Sequence, residues 1–308
     1  MAARHAAKRV AARSGSIAGS LQAPSEFTIA AIPWMNHRRL AGIAQRLARV
    51  GDSSPSVWKK VISRADVILH SFTPWDICLL LNAKSHVQFR DASFLKRLCG
   101  VAVRQIDSMS ATDVAMALNS LAMLDFTESG SEEVFNALAD RFTATSSNFD
   151  SRQICMVAHA FSRRKLCPRE SSSQNVESQD AQSSFLESLV MACGRVNSKL
   201  TPRELGGLLH AIVSLHELSG SSSNLLSSSE IRHLVLQIPS KLDEMDAQSL
   251  ILVVNALSRL IPGSSSVDSP NDLVNQEVVN KDVLDLIFDK LPDVLERSKA
   301  AQVASLAL

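Results

Sequence analysis

The sequence predicts an all-α fold, a right-handed solenoid of about six helix-turn-helix repeats of ~37 residues with serine-rich loop insertions. Three observations predict it. One kind of helix start recurs, an apolar stripe follows each start, and the composition suits closely packed helices. Apolar residues make up 45% of the 308-residue chain but aromatics only 5%, with no tyrosine. That balance favours helices packed through small residues over a β-sandwich.

The helix starts are found from six aliphatic anchors: Leu40, Ile77, Val114, Ile154, Leu205 and Leu250. The first three lie 37 residues apart, and the later gaps are 40, 51 and 45. Four residues before the anchors stand Asn36, Thr73, Ser110, Asp150, Thr201 and Asp246. Each can act as an N-cap, its side-chain oxygen accepting from an orphan N–H of the first turn. One residue earlier stand Met35, Phe72, Met109, Phe149, Leu200 and Met245. Paired with the anchors they form hydrophobic staples, and Asp76, Asp113, Gln153 and Glu204 stand where a capping box needs them. Pro74 and Pro202 fall at the first helical position, where a missing N–H costs nothing.

Apolar residues then return at helical spacing, as in Val114, Ala117, Leu118 and Leu121 or Leu205, Leu208, Leu209 and Ile212. A second striped segment follows each first helix. Together they place repeats near 36–70, 73–105, 110–145, 150–198, 201–242 and 246–297, with a partial one at 298–308, inside a repeat domain covering 35–308. Pro239 and Pro292 should bend the second helices of the last two full repeats. The long gaps come from inserts near 168–184, 220–229 and 262–280, expected to be surface loops. Residues 299–308 read as an unfinished seventh first helix, either a truncated sequence or an end that docks onto a partner.

Residues 1–25 contain Arg4, Lys8, Arg9 and Arg13 and no acid. This pattern reads as a mitochondrial or plastid transit peptide, with a disordered basic tail as the other reading. No apolar run is long enough for a membrane span. The five cysteines are scattered without a C-x-x-C pair, which argues against a disulfide framework or zinc site and for a reduced or weakly oxidising compartment. Phosphate-loop, nucleophile-elbow and H-E-x-x-H motifs are absent. His210 and His216, six residues apart, do not share a helix face. The expectation is a protein that is not an enzyme and needs no metal or cofactor.

Two patterns suggest a ligand. Five residues after the anchors stand Gln45, Asn82, Asn119, His159, His210 and Asn255, all hydrogen-bonding and set among small or apolar neighbours. They form either a buried ladder between stacked helices or a line of groups that meets RNA bases once per repeat. Charge is also uneven. From Arg38 to Arg104 there are 12 Lys and Arg against 4 Asp and Glu; from Gln105 to Leu308 there are 16 against 26. The basic part includes Arg38, Arg39, Arg46, Arg49, Lys59, Lys60, Arg64, Lys96 and Arg97, candidate phosphate contacts. Arg163-Arg164-Lys165 is a smaller basic spot at a helix C-terminus. The acidic C-terminal half suits a protein partner better than RNA.

The repeat length, the cap-x-x-acid/amide-aliphatic start and the run from Asp113 to Leu124 resemble octotricopeptide and heptatricopeptide repeats. These repeats are related to the helical region of FAST-kinase-like and RAP-domain proteins, and the resemblance covers roughly residues 35–308. It implies an organellar protein acting on RNA in processing, stability, ribosome assembly or translation, in the mitochondrial matrix or alternatively a plastid. No C-terminal RAP domain is recognisable, so the resemblance implies no nuclease activity here. The alternative expectation is a protein-binding scaffold or structural subunit of a mitochondrial complex such as the ribosome.

Overall fold

The computed structural model describes residues 24–89, 91–127, 130–166, 185–219 and 228–260, with isolated positions between 285 and 296. The N-terminal extension up to residue 23, almost all of the three inserts, the partial seventh repeat, and Ile287 and Leu291 lie outside the described residues. The described residues contain helices and no strand. After a short α1 (Glu26–Ala30), the first helices are α2 (His37–Arg49), α4 (Pro74–Val87), α6 (Ala111–Met123), α8 (Ser151–Arg164), α10 (Pro202–Ser219) and α13 (Ala247–Leu260). The second helices are α3 (Pro55–Val67), α5 (Ala92–Arg104), α7 (Ser131–Thr145), α9 (Phe185–Val196), and α11 (Ser229–Leu236) with α12 (Ile238–Lys241). The break between α11 and α12 falls at Gln237, just before Pro239, which has no N–H to continue a helical ladder. Pro292 is helical, but its neighbour Leu291 lies outside the described residues.

The chain divides into two compact units, Met1–Arg141 and Phe142–Leu308, the division falling within α7. In the first unit α2, α4 and α6 stack in order; in the second α8, α10 and α13 do the same. Each unit is therefore a stack of helical hairpins, an all-α, solenoid-like arrangement.

Local chemistry sets where each first helix begins. Asn36, Thr73, Ser110 and Asp150 accept from backbone N–H groups of the first turn. Thr201 and Asp246 do the same for Glu204 and Ser249. The four boxes at Thr73/Asp76, Ser110/Asp113, Asp150/Gln153 and Thr201/Glu204 are closed in both directions. All six staple residues and all six anchors are buried.

Before every one of these starts the chain makes a 3-10 turn, at Ile32–Trp34, Leu69–Ser71, Ile106–Ser108, Ser146–Asn148, Asn197–Lys199 and Leu242–Glu244. A shared clamp also closes each of the first five hairpins. A long side chain near the end of the second helix donates to the carbonyl of the staple residue that opened the hairpin. The pairs are Arg64 to Met35 (2.8 Å), Gln105 to Phe72 (2.9 Å), Arg141 to Met109 (3.2 Å), Arg195 to Phe149 (2.9 Å) and Lys241 to Leu200 (2.7 Å). That carbonyl lies outside its helix and needs a donor once covered. Arg64→Met keeps the apolar stem but removes the donor. It should lower stability by about 1–2 kcal/mol, seen as a lower urea midpoint with an unchanged slope.

The position one after the anchor faces the next first helix. In the first five it holds Ala41, Cys78, Ala115, Cys155 and Gly206, all buried. Cys78 Sγ donates to the Asp113 carbonyl (3.2 Å), and Cys155 Sγ lies 3.9 Å from the Glu204 carbonyl. Each carbonyl belongs to the N3 residue of the next first helix. Burial pushes the Cys155 thiol up to about 12, with Glu204 and Asp150 adding to the shift. These thiols pack as small apolar side chains.

Candidate nucleic-acid interface

Aligning the six first helices on their anchors separates buried rows from solvent-facing rows. Two residues before the anchor stand Arg38, Trp75, Thr112, Arg152, Arg203 and Gln248, all exposed. Nine after it stand Arg49, His86, Met123, Arg163, Ser214 and Arg259, all exposed or half-buried. The polar column, five after the anchor, runs between these rows. Each helix of 3.6 residues per turn therefore presents one outer strip through these three positions.

The column does not behave as one unit. Gln45 is only 9% exposed, and its amide donates to the Leu79 carbonyl of α4 at 2.7 Å. It is a rung between α2 and α4, as the ladder alternative expects at this position. Asn82 and Asn119 are half-buried, the latter with its amide 3.6 Å from Met123 Sδ. His159 and Asn255 are exposed and His210 half-buried. Gly207 of α10 makes room for the His159 ring, since a Cβ there would stand 2.6 Å from Nε2. Surrounding protein atoms hold the imidazole pKa of His159 below its ordinary value, and His210 and Arg203 push the same way. His210 is also lowered, first by desolvation and then by Arg259. Both rings are therefore biased toward the neutral form, able to accept or donate one hydrogen bond each.

The cations fall on two layers. Arg38, Arg39, Arg46 and Arg49 are all exposed on α2. The position equivalent to Arg46 is a buried alanine or serine in the later first helices. Lys59 and Lys60 are exposed on α3, and Lys96 and Arg97 on α5, so these four belong to the second helices. Arg97 grips Asp66 with both arms (3.0 and 2.7 Å) and reaches Ser93, a staple between α3 and α5 more than an open phosphate site. Arg64 serves as a clamp. Lys84, counted among the basic residues by sequence, is 1% exposed and has no hydrogen-bond partner. Its ammonium lies over the rings of Phe89 (5.4 Å) and Phe94 (5.0 Å). Burial lowers its pKa to about 8 against the opposing pull of Asp91 and Asp66.

The second unit is less acidic on this face than its net charge implies. Helices α8, α10 and α13 carry five arginines (Arg152, Arg163, Arg164, Arg203 and Arg259) against two glutamates. Glu204 is held in its capping box, and Glu217 pairs with Arg259. The outer face of α8 thus presents Arg152, His159 and Arg163 with no acid on the helix, and α10 presents Arg203 and His210. A sum over half the chain mixes this face with acids on caps and second helices. Aligning on the anchors and reading two and nine residues away finds arginines that such a sum hides.

Among the described residues no cluster of His, Cys, Asp and Glu could hold a metal ion, and no helix is long and apolar enough to cross a membrane. Fold and surface together define a helical-hairpin repeat protein with a polar, cation-flanked face on its first helices. Residues 23–171 match the family model of the RNA-editing substrate-binding complex 6 protein, a span that takes in α1 to α8. No curated protein gives a significant match to the chain.

Proposed function

We propose that this chain is an organellar RNA-binding repeat protein, acting without catalysis inside a multi-protein RNA-processing assembly. The observation that carries this reading is the outer strip of the first helices of the second unit, where His159 stands between exposed Arg152 and Arg163 on α8 and Arg203 precedes His210 on α10, with Asn82 and Asn119 at the matching central position of α4 and α6. Arginines at the strip's ends suit phosphates, and the central groups suit base edges. The match to a family whose description names an RNA-editing substrate-binding complex supports the same class of ligand and a complex as the setting. The acid-free, arginine-bearing N-terminal stretch supports a mitochondrial address, with a plastid as the alternative. RNA processing, stability and ribosome assembly or translation all fit such a surface.

The test is fluorescence anisotropy with single-stranded RNA at two salt concentrations. Combining Arg152→Gln, Arg163→Gln and Arg203→Gln should weaken binding about tenfold. The salt slope should fall by about 2, at roughly 0.7 for each phosphate no longer neutralised. Lys59→Gln, Lys60→Gln and Lys96→Gln together should do much less. The opposite ranking, or no salt dependence, would defeat the proposal.

A second reading, a protein-binding surface in the C-terminal half, draws on the second helices of that unit. Met191 on α9 and Leu236 on α11 are exposed apolar side chains, with the exposed acid Glu187 on α9 and Asp243 and Glu244 in the turn that follows α12. Met191→Lys with Leu236→Lys should release a protein partner while leaving RNA affinity unchanged.

A further inference from the structure

We infer that the N-terminal unit takes unpaired RNA bases onto Trp75, so that the ligand of this face is single-stranded RNA. This inference rests on the RNA-binding reading above and narrows it. The chain has three tryptophans; Trp58 is fully buried, whereas Trp34 and Trp75 are 86% and 48% exposed. Helix α4 has an apolar core face that buries Ile77, Cys78, Leu80 and Leu81, so nothing in its amphipathic pattern requires an indole on the outside.

Its surroundings define the ligand. Trp75 occupies the row that holds Arg38 in the preceding hairpin and Arg152 and Arg203 in the second unit. The N-terminal ends of α2 and α4 are tied together by His37 Nδ1 and Asp76 Oδ2 at 2.7 Å. Arg38 follows His37 and Trp75 precedes Asp76, so an exposed cation and an exposed indole are the chain neighbours of the bonded pair. Trp34, in the turn that leads into α2, adds a second exposed ring at the same end. Asp76 is buried, and the oxygen at this junction also accepts from Thr73, so the carboxylate is engaged within the fold and is not presented at the surface. Asn82 and His86 continue along the same strip of α4.

An exposed flat ring and an exposed arginine on two bonded helix starts fit a ligand that is itself planar and anionic in alternation. Stacking on an aromatic side chain needs a base whose face is free, which a duplex does not offer. Arg38 would hold the flanking phosphate and Trp75 the base; Trp34 would offer a neighbouring platform.

The experiment uses the full chain, a labelled oligouridine and the same oligomer annealed to its complement. Anisotropy reports binding and tryptophan fluorescence reports stacking. The single strand should quench exposed tryptophan and the duplex should not. Trp75→Ala should weaken single-strand binding about tenfold or more, with an unchanged circular dichroism spectrum. Trp75→Phe should stay within about threefold of the parent, because the ring face is retained. If RNA binds but Trp75→Ala changes neither affinity nor quenching, or if single strand and duplex bind alike, the stacking inference fails and the broader reading stands. If Trp75→Ala instead removes a co-purifying protein and leaves RNA affinity intact, the surface is a protein site and the inference also fails. If no RNA binds to the parent chain, both readings fall together.

Discussion

Lys84→Met should raise stability by about 2–3 kcal/mol at pH 7. The anchor-plus-seven row holds Leu47, Lys84, Leu121, Phe161, Ile212 and Leu257, a buried row interrupted by one lysine. Taking the ammonium out of water without a hydrogen-bond partner costs more than the two aromatic contacts return. The pKa falls from 10.5 to about 8, which corresponds to roughly 3 kcal/mol. The direction with pH follows from the sign of that fall. Below about pH 8 the folded state holds a buried cation and the penalty is complete; between 8 and 10.5 it fades, and above 10.5 both states are neutral. The parent should therefore become more stable as pH rises from 8 to 10.5 relative to Lys84→Met. Paired urea titrations at pH 7 and pH 10 measure this. A substitution that destabilises the protein at pH 7 would show that the amine is satisfied in a way the burial does not explain.

Gly206→Ala should destabilise the second unit by about 2–3 kcal/mol, and Gly207→Ala should not. A Cβ on Gly206 would stand 2.8 Å from the Ser249 carbonyl oxygen and 3.2 Å from Val253 Cγ2. The backbone of α13 cannot move away alone, because Ser249 lies in the capped first turn of that helix. Alanine's better helix propensity, about 1 kcal/mol, offsets only part of the overlap. At Gly207 the obstacle is the His159 ring, an exposed side chain that can rotate. That variant should fold at least as well while displacing one member of the polar column, so its effect appears in RNA binding instead. Equal losses in thermal unfolding for the two glycines would contradict the close approach of α10 and α13.

What the sequence revealed and what it hid differ in range. Helix starts were legible because a cap needs only a polar residue and partners three residues on, as at Ser110 and Asp113. The clamps were not, because Arg195 and Phe149 or Arg64 and Met35 meet only after the hairpin closes. The 3-10 turns were missed because three residues carry too little pattern. The polar column was visible as a column, but only the packing of α2 on α4 decides that Gln45 bonds to Leu79, whereas His159 on α8 stays outside. Charge was the least faithful guide. Lys84 is in the core, Arg97 is paired and Arg64 is a clamp, while Arg152 and Arg203 face solvent in a half that is acidic in total.

RNA held on the outer faces of the first helices of each unit is the proposition on which the functional reading depends. Photo-crosslinking with 4-thiouridine RNA, followed by mass spectrometry of the adducts, locates the ligand directly. Adducts should fall on peptides of α4, α8 and α10, near Trp75, His159 and His210. Adducts concentrated on α3, α5 and α9, around Lys59, Lys96 and Met191, would place RNA on the other layer and contradict it.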